Sequence, residues 1–276
     1  MINNDLTNEQ IIHKKNENIE YLQFKKLLQY NNIISHAYSV GIKKSFRTIE
    51  PNMEKLPLEI YEENFKNYRN LCKELNLNEN NLIRAKQAHT DNILCLNDLE
   101  KEDTIDSKEI ADGLITNKKK FILATTNVDC ILLLMFDPVK KVIANVHSGW
   151  KGTLQEISVK TIKKMQEKYG CNPRDIIVCI CPSIRKCHFE VGEDVKELFY
   201  NQFKKLGDVD SFIQKENEKW YVDTVLINKI ILKQIGILEE NIEDSSICSV
   251  CNCDKIHSFR AEGEGYGLAT AIISLI

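Results

Sequence analysis

The stretch 129-DCILLLMFDPVKKVIANVHSGWKGT-153 decides the fold. Asp129 to Phe136 reads as a buried strand, because an almost unbroken apolar run suits a strand covered on both faces. Asp137-Pro138 and the two lysines that follow read as a turn, and VIANVH (142–147) as the returning strand of a hairpin. From Thr153 the pattern changes to a helical one. Leu154, Ile157, Val159, Ile162 and Met165 fall mostly on one face, Thr153 and Glu156 form a Thr-x-x-Glu capping box, and Gly170 and Pro173 end the helix. Buried strands in alternation with amphipathic helices predict a mixed α/β fold of layered mixed β-sheets flanked by helices.

Working outward, IISHAYSV (33–40) reads as a strand, and after a polar loop with Pro51 and Pro57 the segment 58–77 has the 3.6 period of an amphipathic helix. Strand-like runs follow at 83–89, 93–96, 113–116 and 121–126. Residues 175–183 read as another strand, 193–206 and 223–236 as helices, and the C-terminus as short strands. Residues 1–30 are polar with scattered Ile11, Ile12, Ile19, Leu22, Phe24, Leu27 and Leu28, which predicts a helical N-terminal extension. No repeat or low-complexity linker divides the rest, so 31–276 is expected to be one catalytic domain.

Hydrophobic residues make up 43 % of the 276 and charged residues 28 %, an ordinary globular balance. The formal charge of -3 leaves no electrostatic footprint for nucleic acid or an anionic membrane, so small molecules are the expected partners, with the chain a monomer or small homo-oligomer. The longest apolar candidate, 121–136, is interrupted by Asn127 and Asp129 and falls short of the ~18 residues of a membrane helix. MINNDLTNEQ has no basic start and no apolar segment, so a cytoplasmic location is expected. Ten unevenly spaced cysteines in such a chain argue for free thiols over a disulfide framework.

Three segments offer metal ligands near strand ends: KQAHTDNI with His89, TTNVDCILLL with Cys130, and NVHSGWKG with His147. Each alone reads more readily as structure, since a buried cysteine beside Ile131 is usually a small hydrophobe and a lone histidine at a strand end is more often a satisfied structural or surface residue. Cys248-Ser-Val-Cys251-Asn-Cys253 stays open between structural thiols and half of a zinc site, because a second pair is missing downstream and only His257 stands nearby in sequence.

Set in order, the motifs resemble the laccase-domain family, the multicopper-polyphenol-oxidase-like proteins understood as zinc-containing purine nucleoside phosphorylases. The matching residues are Gln87-Ala88-His89-Thr90-Asp91, Ala111-Asp112-Gly113-Leu114, Val128-Asp129-Cys130 with Asp137-Pro138, and Val146-His147-Ser148-Gly149-Trp150-Lys151-Gly152. Cys181-Pro182-Ser183-Ile184, Cys187 with Glu190-Val191-Gly192, and His257-Ser258-Phe259-Arg260 complete the pattern over roughly 33–276. The resemblance implies that His89, Cys130 and His147 bind one Zn²⁺. Such a site has three protein ligands and an open fourth position, the arrangement of a catalytic zinc.

It further implies phosphorolysis of adenosine, inosine or guanosine to free base and ribose 1-phosphate, with methylthioadenosine phosphorolysis and adenosine deamination as companion activities. Ser39, Arg47, Lys151, Glu190 and Arg260 are the candidates for substrate and phosphate. Lys151 is placed there because it precedes the expected helix N-terminus, whose free N–H groups favour an anion. The chain departs from the family in three places. His36-Ala37-Tyr38-Ser39-Val40-Gly41 lacks the family's arginine in register, with Arg47 the candidate replacement; Lys151 stands where the family has arginine; and Gly267-Leu268 replaces Gly-Arg. Lysine keeps the charge but loses the bidentate fork. Asp129 is expected to bond nearby backbone.

Three rival readings remain at this point. A copper polyphenol oxidase would need a histidine-rich oxygen cluster, which six histidines do not supply. A cysteine hydrolase or deamidase would use Cys130 as nucleophile and His147 as base. A non-catalytic nucleoside-binding protein would tolerate the missing arginines.

Overall fold

A computed structural model describes residues 5–49, 55–98, 106–119 and 121–276, and of residues 98 and 106–108 the backbone alone. Pro51 of the expected polar loop lies outside the described residues. In chain order the elements begin β1 (Ile11–Lys15), β2 (Glu20–Phe24), α1 (Lys25–Leu28), β3 (Ile34–Val40), α2 (Leu58–Glu74), β4 (Leu82–Lys86), β5 (Ile93–Cys95), β6 (Asp106–Ile110), β7 (Gly113–Thr116) and β8 (Ile122–Asn127). The hairpin strands are β9 (Ile131–Asp137) and β10 (Val142–Ser148), followed by α3 (Trp150–Leu154), α4 (Ile157–Tyr169), β11 (Ile177–Ile180), β12 (Glu190–Val191) and α5 (Glu193–Phe203). β13 (Ile213–Glu216), β14 (Lys219–Val222), α6 (Thr224–Gln234), β15 (Ile242–Asp244), α7 (Phe259–Glu262) and β16 (Ala269–Leu275) close the chain.

Two mixed sheets face each other. One runs β1-β2-β3-β16-β8-β4-β6 and the other β15-β11-β9-β10-β7-β5, while β12-β14-β13 makes a small third sheet. The side-chain period of two in β9 assigns its apolar run to both faces. Leu132, Leu134 and Phe136 meet Leu123, Ala271 and Ile273 of the first sheet in the core between the sheets. Ile131, Leu133 and Met135 pack on Ile157, Ile162 and Met165 of α4 and on Val225 and Leu232 of α6. On the far side, Phe65, Tyr68, Leu71 and Cys72 of α2 cover Ala37, Ile122, Ala124 and Ile272. The result is helix, sheet, sheet, helix, the expected mixed α/β layering. Among the described residues no helix is long and apolar enough to cross a membrane.

The helical reading of the first thirty residues is corrected. Ile11–Lys15 and Glu20–Phe24 are antiparallel strands with Ile11 opposite Phe24, and β2 continues onto β3, so the segment extends the first sheet. The turn between them is set by Asn16, whose Oδ1 accepts from the backbone N–H of Asn18 at 2.8 Å and of Ile19 at 2.9 Å, an Asx turn that competes with helix. Among the described residues of this segment only α1, four residues long, is helical.

The capping box is also corrected. The helix after β10 starts at Trp150 with Gly149 as its cap, and it breaks at Glu156, which takes φ 56° before α4 begins. Thr153 lies inside α3 and its hydroxyl bonds Ser148 Oγ at 3.0 Å and Asn228 Nδ2 at 3.2 Å, so a tertiary use of the side chain outweighs the local cap.

Phe136 is fully buried between the sheets and forms a T-shaped pair with Tyr30, 5.3 Å between centroids. Phe136→Ala is expected to cost about 3–5 kcal/mol, measured as a fall in unfolding free energy by denaturant titration; a cost under about 1 kcal/mol would contradict the layered core.

Candidate active site

His89 and Cys130 come from two turns and His147 from strand β10, and the three offer ligand atoms that all lie within 4.8 Å of one another. His147 is placed by the register of β10, opposite Leu132 of β9. Cys130 sits in the turn that enters β9, and His89 in the turn that leaves β4. Both turns hold a non-glycine residue in the left-handed region, Asp129 at φ 75° and His89 at φ 58°. Such conformations persist only where the surroundings over-determine them.

The carboxylate of Asp112, fully buried, is what over-determines the first turn. It accepts from the backbone N–H of Ala88 at 3.2 Å, His89 at 3.1 Å and Thr90 at 2.7 Å, and from the Thr90 hydroxyl at 2.7 Å. Its Oδ1 also meets Nδ1 of His147 at 2.7 Å, and its backbone carbonyl accepts from the His147 N–H at 2.7 Å. One residue therefore fixes the backbone of one histidine and the ring of the other. The bond at Nδ1 leaves Nε2 of His147 for Cys130 and a metal, the carboxylate–histidine–metal relay.

The electrostatics follow from this packing. Burial alone would raise the Asp112 carboxyl, but the bond and charge of His147 and the Thr90 donors hold it below the ordinary value. Burial would also raise the Cys130 thiol, yet the charge and hydrogen bond of His147, joined by His89, bring it down to about 6. For His147 burial works downward, and the Cys130 thiolate with the Asp112 carboxylate overrides it, to about 9. Each shift favours the charged form of its group, and the thiolate is the ligand form of cysteine.

The donor set fits a tetrahedral transition metal. Cys130 Sγ and His89 Nε2 stand 3.7 Å apart, close to the ~3.6 Å that separates sulfur and nitrogen ligands on one such ion. The two imidazole rings meet edge to face at 4.9 Å between centroids. Gly149 is required here for space, since a Cβ on it would lie 2.6 Å from Cδ2 of His89 and 3.1 Å from the Cys130 sulfur. Gly149 has no positive φ, so close approach and not turn conformation is what demands a glycine there.

Two cavities meet here: His89 and Cys130 line both, and His147 lines the first. One of about 400 Å³ is walled by Arg47, Gln87, Thr126, Val128, Tyr266 and Leu268. The other, about 380 Å³, is walled by Trp150, Ile184, Phe189, Phe259, Arg260 and Tyr266. Arg47 donates Nη2 to the carbonyl of Tyr266 at 2.9 Å with its guanidinium 4.4 Å from that ring's centroid. Arg260 donates to the carbonyls of His188 at 2.9 Å and Glu190 at 3.2 Å, while its own N–H bonds Asp129 at 2.8 Å. Asp129 thus bonds backbone, and also the Ser249 hydroxyl at 2.5 Å.

The other candidates lie elsewhere. Ser39 is buried in the first sheet, its hydroxyl accepting from the Thr270 N–H at 2.8 Å, and it lines neither cavity. Lys151 is exposed with its ammonium 5.5 Å from the Trp150 ring centroid, and α3, only five residues long, gives it no long helix to work with. Glu190 pairs with Lys219 at 2.9 Å. His36 accepts from the Phe24 N–H at 2.8 Å and burial presses its pKa down to about 3, so it is a neutral core residue.

Asp112, Gln87, Asn127, Trp150 and Tyr266 were given no individual role by the sequence. Gln87 clamps the His89 turn to β8 through Thr126 N and O at 2.8 and 2.7 Å, and Asn127 holds the Cys130 carbonyl at 2.6 Å. The available signal was that Asp112, Gln87 and Trp150 stand inside matched motifs.

These features define an α/β protein with a His/Cys group able to hold a metal ion between its two sheets. Residues 61–276 match the model of the multi-copper polyphenol oxidoreductase laccase family, and the chain belongs to that family. It is 34 % identical over 214 residues to a purine nucleoside phosphorylase of Clostridium acetobutylicum, 75 % of this chain and 81 % of that protein. It is 31 % identical over 213 residues to the mouse purine nucleoside phosphorylase LACC1, 76 % of this chain and 47 % of that one, so the chain spans about half the length of that mammalian relative. An adenosine deaminase, RL5, from an unknown prokaryotic organism is 26 % identical over 201 residues, 71 % of this chain and 76 % of that protein. The hypothetical protein YfiH of Bacillus licheniformis shares the fold with a TM-score of 0.80 at 24 % identity, over 96 % of this chain and 99 % of that one.

Two expected outcomes test the geometry. Asp112→Asn removes the charge that orients both histidines and should weaken metal binding by roughly 10–100-fold in a chelator competition; unchanged affinity would remove Asp112 from its central position. Gly149→Ala should displace His89 and lower metal retention while leaving the far-ultraviolet circular dichroism unchanged.

Proposed function

We propose that the protein is a zinc-dependent purine nucleoside phosphorylase, acting on adenosine, inosine or guanosine, with methylthioadenosine phosphorolysis and adenosine deamination as companion activities. The observation that carries this reading is the trio of His89, Cys130 and His147 held at the junction of two cavities, each with an arginine and aromatic rings on its wall. The names of the relatives support the same substrate class. Zinc, when bound by these three, supplies a Lewis acid and a fixed positive charge at the open position.

This chain's own residues do the rest. Trp150, Phe259 and Tyr266 offer flat apolar faces for a purine and its ribose. Arg47 and Arg260 bond carbonyl oxygens, which fixes the guanidinium groups without cancelling their charge, and so suits them to hold phosphate. In the reaction a phosphate oxygen forms a bond to the anomeric carbon as the bond from that carbon to the purine nitrogen breaks. The purine leaves with the electron pair and takes up a proton, giving free base and ribose 1-phosphate. Asp112 keeps the His147 ring and the His89 backbone in place throughout.

The remaining histidines do not support oxygen chemistry at this site. His36 and His257 are buried and bonded elsewhere, His257 to Glu262 at 3.3 Å and to the Lys44 carbonyl at 3.0 Å, while His13 sits on β1 and His188 beside Cys187. Leu268, in the place of a family arginine, makes the first cavity more apolar. That makes the phosphate end of the second cavity, with Arg260, the better place for the anion.

The test is metal analysis combined with chromatography of the products from adenosine with and without phosphate. Wild type should contain zinc and release adenine only with phosphate, and Cys130→Ala should fall to about 1 % of that rate or less, more than the 10–100-fold of a residue that merely supports a ligand. Full turnover in that variant sinks the site, and activity that survives chelation but not iodoacetamide would favour a cysteine hydrolase.

A further inference from the structure

A second group of metal-ligating side chains stands outside the site described so far. Cys187, His188, Cys248 and Cys251 present three sulfurs and Nδ1 of one imidazole, all within 4.8 Å of one another. The sulfur of Cys187 lies 3.6 Å from that of Cys248 and 3.9 Å from that of Cys251. Nδ1 of His188 lies 3.2, 3.6 and 3.5 Å from the sulfurs of Cys187, Cys248 and Cys251. Four ligands on one tetrahedral Zn²⁺ would have their sulfurs ~3.8 Å apart and each sulfur ~3.6 Å from the nitrogen, given bonds of ~2.3 Å to sulfur and ~2.0–2.1 Å to nitrogen. The observed separations fall around those values. A disulfide joins two sulfurs at ~2.05 Å and leaves the others unused, whereas here a third sulfur and a nitrogen converge on the same point.

We propose that Cys187, His188, Cys248 and Cys251 bind a second, structural Zn²⁺ with a closed set of one nitrogen and three sulfur ligands. The second pair that the Cys248-x-x-Cys251 motif lacks downstream is supplied from upstream, by the adjacent Cys187 and His188 in the connection between β11 and β12. Backbone bonds already hold the two segments together: the Ser183 N–H donates to the Ile247 carbonyl at 3.3 Å and the Ser249 N–H to the Ser183 carbonyl at 3.0 Å. The Cys248 to Cys251 turn is closed by Asn252, whose backbone N–H and Nδ2 reach the Cys248 carbonyl at 3.2 and 2.9 Å. The chain therefore needs little rearrangement to present the four donors.

The position of this ion gives it a purpose. Ser249, next to Cys248, donates to Asp129 in the Cys130 turn, and the carbonyl of His188 accepts from Arg260 on the wall of the second cavity. The ion ties two loops to each other at the point where both touch the active-site wall, and so positions Arg260 without touching substrate. This inference is independent of the reaction proposed above.

Metal stoichiometry by mass spectrometry on protein purified under reductant tests it. Wild type should carry two zinc ions per chain, with Cys251→Ser keeping the one at His89, Cys130 and His147, and Cys130→Ala keeping the other. One zinc in wild type that is lost in Cys130→Ala and kept in Cys251→Ser overturns the proposal, as does a Cys187–Cys248 disulfide in peptide mapping of the reduced preparation. Should Cys251→Ser not fold, Co²⁺ loaded into Cys130→Ala provides the second measurement. Intense thiolate-to-cobalt absorption that His188→Asn shifts supports the site, and its absence overturns it.

Discussion

The buried carboxylate of Asp112 is the interaction on which the rest of the site depends. A charge with no exposure is costly unless it is paired and hydrogen-bonded, and here five donors surround it. Those donors are not incidental. Four belong to the turn that carries His89 and the fifth is the ring of His147, so satisfying the carboxylate and aligning the metal ligands are the same event. Loss of the charge leaves a left-handed His89 with no compensation and an imidazole with no preferred tautomer.

The two facing sheets make this arrangement possible. β9 and β10 bury apolar side chains on both faces, between the sheets on one side and under α4 and α6 on the other. A strand so enclosed cannot slip in register without moving every side chain to the wrong face. His147 is consequently fixed opposite Leu132, at the end of the sheet where the Cys130 turn and the His89 turn also arrive. The loops that complete the cavities are less constrained by the core. Their order depends on polar ties, such as Gln87 to Thr126, Asn127 to the Cys130 carbonyl, and Asp129 to Ser249 and Arg260.

The substitution of family arginines is absorbed unevenly. Arg47 does reach the first cavity and stacks on Tyr266, although it lies six residues beyond Gly41. Lys151 does not reach either cavity, because the break at Glu156 leaves α3 too short and its ammonium rests over Trp150. Of the candidate cations, Arg47 lines the first cavity and Arg260 the second.

Much of the framework was legible in sequence, for reasons that are local. The apolar run of β9, the Asp137-Pro138 turn and the 3.6 periods of α2, α4, α5 and α6 are each set by side chains within a few residues of one another. The N-terminal strands were not legible, since Leu22 and Phe24 become strand residues only by pairing with β3, and the Asn16 turn was the sole local sign. The same division holds in chemistry. Sequence by itself determined which residues could ligate, because imidazole and thiolate are properties of the residue. Only the tertiary structure decided that His89, Cys130 and His147 meet, that Ser39 and Lys151 stand apart, and that Cys187 and His188 join Cys248 and Cys251. Those meetings depend on which buried polar groups find partners across distant segments, and no spacing along the chain encodes that.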